Sequence, residues 1–520
     1  MTPKISSKMN GAESLVHTLI GHGLKVCFAN PGTSEMHFVA ALDRIPGLRC
    51  ILGLQENVVT GMADGYGRVS RQPAVTLLHC GPGLANGLAN LHNAKWARVP
   101  MVNIVGDQAT YHAAFEPPLV MNTKALAKSV SNWVKTSRKA AHVGRDAAEA
   151  VQAARTSPGQ IATLILPSDA SWNEGGKIGK TLAIPTSPKI NQAAIRKAVK
   201  ILREKSNVLL LLGGDALMAA PQVHAAAIQA KTHCRVLAES INGFHQRGSG
   251  RLPLERVPYP APLAIELLKD VQHIITVCAR PPVGFFAYPD TPSLHSTANA
   301  SHLALCDVNQ DAEAALQCLA EELGARPSTN SQRHDKPSIP NGPANSPALG
   351  QMLAVVMPEQ AIVADESISL GGQLFQESHN APPHDWMMVT GGAIGFGMPC
   401  ATGAAVAGGG RRVINVQADG SALYTLQALW TQAREKLPVT TIILSNRKYQ
   451  ILIGEYGNVG ANPGPTAMNM LDLGNPDLNW VKIANGFGVE AASCATLEAC
   501  AGLMQQSFKS PLPFLIELEI

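Results

Sequence analysis

Short apolar runs alternate along the chain with longer segments of helical periodicity, and turns rich in glycine and proline separate them. Continuous apolar runs of this length predict strands that are buried on both faces, as in a parallel sheet covered by helices. Their alternation with helices predicts an α/β protein. The predicted strands are Val26–Ala29, Val75–Leu78, Met101–Val105, Ile161–Leu166, Val208–Leu212, His273–Val277, His302–Leu305, Arg412–Val416 and Val439–Leu444.

Two polar stretches divide this pattern into three parts. Residues 173–190 are rich in Gly, Lys and Pro, and residues 326–345 are rich in Pro and Asn, so both are predicted to be linkers. A chain of 520 residues is long enough for three domains of ordinary size. We therefore predict three doubly wound parallel-sheet domains, at 1–172, 191–325 and 346–520.

The composition narrows the class of protein. The chain is 46% hydrophobic and carries a net charge of +4, without a basic run interleaved with aromatics, which argues against nucleic-acid binding. It has no apolar stretch of about 18 residues and no signal-peptide core at its start, so neither a membrane span nor secretion is expected. Ten cysteines without a CxxC motif predict reduced thiols in a cytoplasmic protein.

A βαβ unit is predicted around an Asp-Gly-Ser turn. The turn Asp419, Gly420, Ser421 follows one strand, a helix is predicted at 422–430, and the next strand ends at Asn446. Because parallel strands end at the same edge of a sheet, Asp419 and Asn446 are expected to lie side by side, where α/β sheets bind ligands. A carboxylate with an amide oxygen suits Mg2+ or Ca2+, and N–H groups at a helix start suit a diphosphate. The plain alternative is a turn and a loop Asn without a ligand.

Two further stretches carry candidate chemistry. Glu56 follows a short predicted strand and opens a helix that contains Gly65-Tyr66-Gly67-Arg68. By itself, such a Glu is usually a solvated carboxylate favoured by the helix dipole. The second stretch, Thr390–Pro399, is a glycine-rich helix entry.

Together these stretches resemble the thiamine diphosphate (ThDP) enzymes of the acetolactate synthase large subunit and benzoylformate decarboxylase family. Asp419…Asn446 is similar to their Gly-Asp-Gly…Asn motif, with Ala418 in place of the first Gly and Ser445 in place of a frequent Asn. The stretch from Glu56 is similar to their Glu-x(8)-Gly-Tyr-x-Arg segment. The resemblance covers nearly the whole chain and implies pyrimidine-binding, central and diphosphate-binding domains, in that order.

The resemblance also implies roles for individual residues. Asp419, Asn446 and the Lys448 carbonyl would hold Mg2+, and Glu56 would hydrogen-bond N1′ of the cofactor's aminopyrimidine, so that the ring works as a base near neutral pH. Ile394 falls at the position of the apolar wedge that bends the cofactor. The other cofactor-binding residues implied are Gly392, Gly420, Ser421, Ser367, Asn30 and Gly32.

The branch within the family stays open. The stretch Asn30–Glu35 with His79 resembles benzoylformate decarboxylase, in which Thr33 and His79 would line the substrate pocket. His79 could bind the substrate carboxylate or shuttle protons, or be a satisfied histidine at a strand end. By contrast, Cys80–Asn86 and Met101–Gln108 resemble acetolactate synthases, and Gln108 is another pocket candidate. A second pocket His is not evident.

The expected function is a ThDP- and Mg2+-dependent carboligase that decarboxylates a small-molecule 2-oxo acid and transfers the acyl carbanion to a second carbonyl. One alternative is a 2-oxo acid decarboxylase, and another, from a different class, is a non-catalytic ThDP-fold binding protein. No flavin signature stands out in 191–325, so FAD is not expected. Family architecture implies a homodimer or homotetramer with active sites at subunit interfaces.

Overall fold

The structure, a computed structural model, describes residues 8–326 and 338–520. The chain divides into two compact units. The first comprises the described residues of Met1–Thr186, with Val389–Gly410 and Tyr424–Val439. The second comprises the described residues of Ser187–Met388, with Arg411–Leu423 and Thr440–Ile520. Much of the linker predicted at 326–345 lies outside the described residues, and the three-domain division stays a prediction.

The strands form three sheets. In chain order they are β1 (Val26–Ala29), β2 (Arg49–Leu52), β3 (Ala74–Leu78), β4 (Met101–Asp107), β5 (Trp133–Thr136), β6 (Ile161–Pro167), β7 (Val208–Leu212), β8 (Arg235–Ala238), β9 (His245–Arg247), β10 (His273–Val277), β11 (Ser301–Cys306), β12 (Ile362–Glu366), β13 (His384–Met388), β14 (Val413–Ala418), β15 (Val439–Ser445), β16 (Glu490–Cys494) and β17 (Phe514–Glu519). Each predicted strand is present, most with bounds that differ by a residue or two.

The helices connect successive strands. They are α1 (Gly11–Gly21), α2 (Met36–Arg44), α3 (Glu56–Ser70), α4 (Cys80–Trp96), α5 (Thr123–Val130), α6 (Ala140–Arg155), α7 (Ser168–Trp172), α8 (Gln192–Glu204), α9 (Ala219–Thr232), α10 (Ala261–Leu268), α11 (Ala312–Leu323), α12 (Ser346–Val356), α13 (Gly371–Glu377), α14 (Gly397–Ala407), α15 (Asp419–Ala422), α16 (Ala428–Arg434), α17 (Gln450–Asn458), α18 (Pro465–Asn469), α19 (Trp480–Gly486) and α20 (Leu497–Ser507). In the described part of the chain, none of them is long and apolar enough to cross a membrane.

The first unit is built on a parallel sheet in the order β2-β1-β3-β4-β6-β5. Its central strands are fully buried, because helices contribute apolar side chains to the core. Helix α1 begins at a capping box, in which the Asn10 side chain accepts the Glu13 N–H and the Glu13 carboxylate accepts the Asn10 N–H. The strand order brings the ends of β1, β2 and β3 to one edge, where the turns that follow them meet.

Helices α3 and α14 cross in the first unit with their backbones in contact. A Cβ atom added to Gly65 would overlap the carbonyl oxygen of Cys400, and one added to Gly403 would overlap that of Met62. Beside this crossing, the buried Arg68 guanidinium donates two hydrogen bonds of 2.8 Å to the Asp64 carboxylate. The crossing therefore fixes the position of helix α3, which begins at Glu56.

The second unit contains the other two sheets. The four-stranded sheet has the order β11-β10-β7-β8, and the seven-stranded sheet has the order β16-β17-β15-β14-β12-β13-β9. Strand β9 comes from the predicted central domain but pairs antiparallel with β13 at the edge of the larger sheet. The pairs β12–β14 and β15–β17 are parallel. The three sheets, parallel in most pairs and covered by helices, confirm the α/β class.

One predicted helix is wrong as a single element. Instead of a helix at 422–430, helix α15 ends at Ala422, turns follow, and α16 begins at Ala428. In this break, the buried Thr425 hydroxyl donates a hydrogen bond of 3.0 Å to the Gly395 carbonyl. This bond ties the break to a partner that lies 30 positions away, and sequence periodicity does not reveal such contacts.

Candidate active site

The first unit contains a cluster of polar side chains at the edge of its sheet, here named the acid–base cluster: Ser34, Glu35, Glu56, His79 and Asn86. Glu35 belongs to the turn after β1, Glu56 opens the helix after β2, and His79 follows β3. A Cβ added to Gly83 would lie 3.0 Å from Glu56 Oε1 and 3.4 Å from the His79 Cβ, so both side chains flank this glycine. The fold thus brings together Glu56 and His79, the two predicted catalytic residues.

His79 is held by a buried carboxylate. Glu35 Oε2 lies 2.9 Å from His79 Nδ1 and also accepts the Gly32 N–H at 2.7 Å. Glu35 Oε1 accepts the Ser34 hydroxyl at 2.5 Å. The Glu35 side chain is 2% exposed and the His79 ring is 22% exposed, so the ring has a fixed orientation and some access from solvent. With its Nδ1 proton donated to Glu35, His79 would keep Nε2 as its basic nitrogen.

The Glu56 carboxylate is oriented by a hydrogen bond from the neighbouring helix α4. The Asn86 amide donates a hydrogen bond of 3.1 Å to Glu56 Oε2. The Glu56 residue itself is half-buried at the start of α3, where Gln55 caps the helix by accepting the N–H groups of Asn57 and Val58. The cap satisfies these two N–H groups without Glu56, so the Glu56 carboxylate remains available to a ligand.

The remaining predicted residues of the first unit lie on the adjoining turns. Asn30 donates its amide to the Gly53 carbonyl at 2.9 Å and so joins the turns after β1 and β2. Thr33 is exposed at the start of a short 3-10 turn, and a Cβ on Gly32 would overlap the His79 ring. Gln108 follows β4, and its amide donates to the Pro118 carbonyl at 3.1 Å.

The glycine-rich entry to α14 is fixed by two asparagines of α4. Asn93 Oδ1 accepts the N–H groups of Gly391 and Ala393 at 3.1 and 3.3 Å, and the Asn90 amide donates to the Gly395 carbonyl at 3.1 Å. Between these contacts, Gly392 is exposed with φ +77° and Ile394 is half-buried. This leaves the backbone of Gly392 and the side chain of Ile394 accessible to a ligand.

The second unit contains the predicted metal residues, here named the oxygen-ligand cluster: Asp419, Asn446 and the Lys448 carbonyl. Strands β14 and β15 are neighbours, so the residues that follow them lie at the same edge, as predicted. The Asp419 carboxylate accepts the N–H groups of Gly420 at 2.8 Å and Arg447 at 2.7 Å. Burial raises the pKa of Asp419, while these N–H donors act in the opposite direction.

Oxygen atoms in this cluster keep capacity for a cation. Each carboxylate oxygen of Asp419 accepts one N–H group in these bonds and has a further lone pair. Asn446 Oδ1 accepts the Lys448 N–H at 3.1 Å, and the Lys448 carbonyl accepts the Gln450 N–H at 3.0 Å. Carboxylate, amide and carbonyl oxygens are the ligand types of hard divalent ions, so this donor set fits Mg2+.

Groups that were expected to donate hydrogen bonds to a diphosphate already have partners within the protein. The Gly420 N–H group is bonded to Asp419, and the Ser421 hydroxyl donates to the Ala418 carbonyl at 3.1 Å. A Cβ on Gly420 would lie 2.6 Å from the Tyr449 ring, so a larger residue here would have to displace that ring. Ser367, which follows β12, donates both its N–H and hydroxyl to Asp365 Oδ1, at 3.0 and 2.6 Å.

Several residues of these clusters were not predicted. Glu35 and Ser34 lie in the stretch Asn30–Glu35 that resembles benzoylformate decarboxylase, but the resemblance implies no role for either residue. Asn86 ends the Gly-Pro-Gly-Leu-Ala-Asn stretch that resembles acetolactate synthases, and this resemblance does not indicate its contact with Glu56. Asn90 and Asn93, which lie outside both clusters and hold the entry to α14, are three residues apart in α4, a spacing that places two amides on one helix face.

Comparisons with known proteins identify the family. The model of the N-terminal thiamine pyrophosphate-binding domain of thiamine pyrophosphate enzymes matches residues 9–129, and that of the C-terminal domain matches residues 371–518. A Mycobacterium tuberculosis protein, provisionally named acetolactate synthase large subunit IlvX, is 44% identical over 98% of this chain and 99% of its own. Benzoylformate decarboxylase of Pseudomonas aeruginosa is 30% identical, with 96% of each chain covered.

A solved structure supports the fold. The ThDP-dependent 4-hydroxybenzoylformate decarboxylase of Rhodococcus jostii RHA1 superposes with a TM-score of 0.84, covering 98% of this chain and 99% of the other at 23% identity. The chain therefore belongs to the ThDP enzyme family that includes acetolactate synthases and benzoylformate decarboxylases. It is a ThDP-dependent enzyme, as the sequence motifs predicted.

Proposed function

We propose that this protein is a Mg2+- and ThDP-dependent carboligase of the acetolactate synthase type, which decarboxylates a 2-oxo acid and joins the acyl fragment to a second carbonyl compound. The observation that carries the choice of reaction is the 44% identity, over nearly both whole chains, to a relative provisionally named acetolactate synthase large subunit. We infer that the clusters in the two units would supply groups for this chemistry.

The metal would be held by Asp419, Asn446 and the Lys448 carbonyl. Support comes from the donor set, which is hard oxygen throughout, and from the buried carboxylate whose orientation two backbone N–H groups fix. Mg2+ prefers few protein ligands together with phosphate oxygens, so this set leaves positions for a diphosphate. Gly420, Ser421 and Ser367 border these residues and would line the diphosphate side.

The bound cofactor would supply an electron sink for the carbanion produced by decarboxylation. Glu56 would hold a proton at the aminopyrimidine, since its carboxylate is half-buried and Asn86 restricts its orientation. The backbone of Gly392 and the side chain of Ile394 would contact the ring system, because Asn90 and Asn93 fix the segment around them. Asn30 and Gly32 would border the ring from the turn after β1.

A second candidate reaction is simple decarboxylation, in which the product carbanion takes a proton and leaves as an aldehyde. The Glu35–His79 pair favours it, because a histidine oriented by a carboxylate can deliver a proton. In either reaction His79 would face the substrate carboxylate or the developing carbanion, with Thr33 and Gln108 at the edge of the substrate pocket.

Product analysis separates these proposals. The protein would be incubated with ThDP, Mg2+ and a panel of 2-oxo acids that begins with pyruvate and benzoylformate, and products would be identified by NMR. A carbon–carbon coupled product such as 2-acetolactate supports the carboligase. Free aldehyde without coupling supports the decarboxylase. No ThDP-dependent product from any acid would contradict both reactions and favour a binding role.

We further propose that the enzyme acts as a homodimer or homotetramer in which one subunit supplies residues to the active site of another. Mixing two inactive variants, Glu56→Gln and Asp419→Asn, tests this directly. Mixed oligomers would regain part of the turnover if the two residues serve one centre from different subunits. Full turnover by a monomer at nanomolar concentration would contradict the proposal.

A further inference from the structure

Two thiols face each other across the first two strands of the first unit. Cys27 in β1 and Cys50 in β2 are direct partners in the parallel register. Neighbouring strands lie about 4.8 Å apart, which is within the usual range of Cα separations across a disulfide. Each thiol donates to a nearby backbone carbonyl, Cys27 to Phe28 at 3.9 Å and Cys50 to Leu48 at 3.8 Å. Because direct partners in a sheet point to the same face, rotation of both side chains would turn the two sulfur atoms toward each other.

The two thiols have different environments. Cys27 is completely buried, whereas Cys50 is exposed on the edge strand of the sheet. The neighbouring Cys27 thiol lowers the pKa of Cys50, and the Cys50 thiol together with burial raises the pKa of Cys27. An accessible thiol with a lowered pKa beside a second thiol is the typical arrangement of a redox-sensing cysteine and its resolving partner.

We propose that Cys50 and Cys27 form a peroxide-reactive dithiol that closes reversibly to a disulfide. The Cys50 thiolate attacks one oxygen of hydrogen peroxide; a sulfur–oxygen bond forms, the oxygen–oxygen bond breaks, and hydroxide leaves and takes up a proton. The Cys27 sulfur then bonds to the Cys50 sulfur, its proton joins the departing hydroxyl, and a second water leaves. Two thiols lose two electrons in total, and one peroxide gains them.

The disulfide would act on the candidate active site through the turns that follow these strands. The turn after β1 contains Asn30 and Thr33, and the turn after β2 leads to Glu56. The Asn30 amide joins both turns through its bond to the Gly53 carbonyl. Because the cross-link would join β1 to β2 two residues before each strand ends, we expect it to restrict these turns and to lower turnover.

The chain contains an internal comparison. Cys278 and Cys306 have their sulfur atoms 3.8 Å apart in the second unit, but both are buried. If accessibility to peroxide decides the reaction, this pair reacts far more slowly than Cys50 with Cys27. A faster reaction of the Cys27–Cys50 pair with peroxide would therefore show that accessibility, and not only the proximity of two thiols, makes this pair reactive.

The test is peroxide treatment of the full-length protein followed by alkylation of free thiols and peptide mass spectrometry. We expect a Cys27–Cys50 linked peptide about 2 Da below the sum of the reduced peptides, which dithiothreitol reverses. Cys50→Ser should abolish the linked peptide, Cys27→Ala should leave Cys50 to oxidise without a cross-link, and Cys278→Ser should change neither. Turnover should fall with the disulfide and recover on reduction in the parent, but not change in Cys50→Ser.

Two results would overturn the proposal. One is that Cys27 and Cys50 both remain alkylatable at peroxide doses that oxidise the half-buried thiols Cys318 and Cys494. The other is that Cys50 in the parent proceeds to sulfinic acid without forming the linked peptide. Both readouts are chemical and do not require activity, so failure of the proposed carboligase reaction would leave them interpretable.

Discussion

The acid–base cluster and the oxygen-ligand cluster achieve fixed geometry by different means. In the first, side chains from turns far apart in sequence hold one another, as Glu35 holds His79 and Asn86 holds Glu56. In the second, backbone N–H groups of Gly420 and Arg447 hold the Asp419 carboxylate. A cluster held by side chains can lose its geometry through one substitution, whereas a backbone-held carboxylate keeps its neighbours until it is itself replaced.

The largest effect is expected from Glu56→Gln, in the acid–base cluster. The amide keeps the shape of the side chain but cannot hold the proton, so turnover should fall roughly 100- to 10,000-fold while ThDP still binds. Steady-state kinetics and calorimetric titration with ThDP measure the two quantities. Glu13→Gln, which removes the capping carboxylate of α1, serves as the control and should retain turnover. Near-parental turnover of Glu56→Gln would contradict the catalytic role and favour the binding protein.

Asp419→Asn should weaken Mg2+ binding by about 100-fold or more, since replacing even outer-shell partners of metals costs about 10- to 100-fold. The loss arises from the missing charge and from the amide NH2 group, which would face one of the two backbone N–H groups that the carboxylate accepts. Titration of the ThDP-saturated protein with Mg2+ measures it. Asp477→Asn is the matched control, because this exposed carboxylate pairs with Arg447 of the same loop at 3.1 Å. If both variants lose the same amount of Mg2+ affinity, the assignment of Asp419 as a metal ligand is wrong.

Glu35→Gln should lower turnover about tenfold, which corresponds to the roughly 1.5 kcal/mol of a hydrogen bond to a charged group, without changing Mg2+ affinity. Its carboxylate orients His79 from a buried position. A loss of turnover without a loss of Mg2+ affinity would distinguish the acid–base cluster from the oxygen-ligand cluster. Ser34→Ala, which removes a neutral hydroxyl that donates to Glu35 and lies 3.2 Å from His79 Nδ1, should have a smaller effect. If His79→Ala greatly reduces turnover and Glu35→Gln does not, the orienting role of Glu35 is wrong.

The smallest expected effect is a pH dependence of Mg2+ affinity. Because burial raises the pKa of Asp419, protonation competes with the metal at a higher pH than for an exposed Asp, whose pKa is about 3.9. Affinity should be full above the raised pKa and should fall as the pH falls through it. Titrations with Mg2+ from neutral pH down to about pH 4.5 measure this. Constant affinity over that range would show that burial does not raise the pKa enough to matter.

The contrast between the clusters also explains what the sequence could predict. Asp419 and Asn446 each follow a strand in one βαβ unit, so local order was enough to place them at one edge. Strands such as Val26–Ala29 and Val208–Leu212 were predicted to the residue, because continuous apolar runs identify them. The hydrogen bonds of Glu35, Asn86 and Thr425 depend on partners that are distant in the chain. The periodicity of the sequence does not predict such contacts.

The close crossing of α3 and α14 at two glycines has a consequence for laboratory evolution of this enzyme. At Gly65 and Gly403 the opposing atoms are backbone carbonyl oxygens of Cys400 and Met62, which no second substitution can shorten or remove. A methyl group at either position therefore has no compensating mutation in the facing helix. Libraries that vary these two positions should yield no active clones, even in combination with their neighbours, and a search for new substrates is better directed at exposed positions such as Thr33.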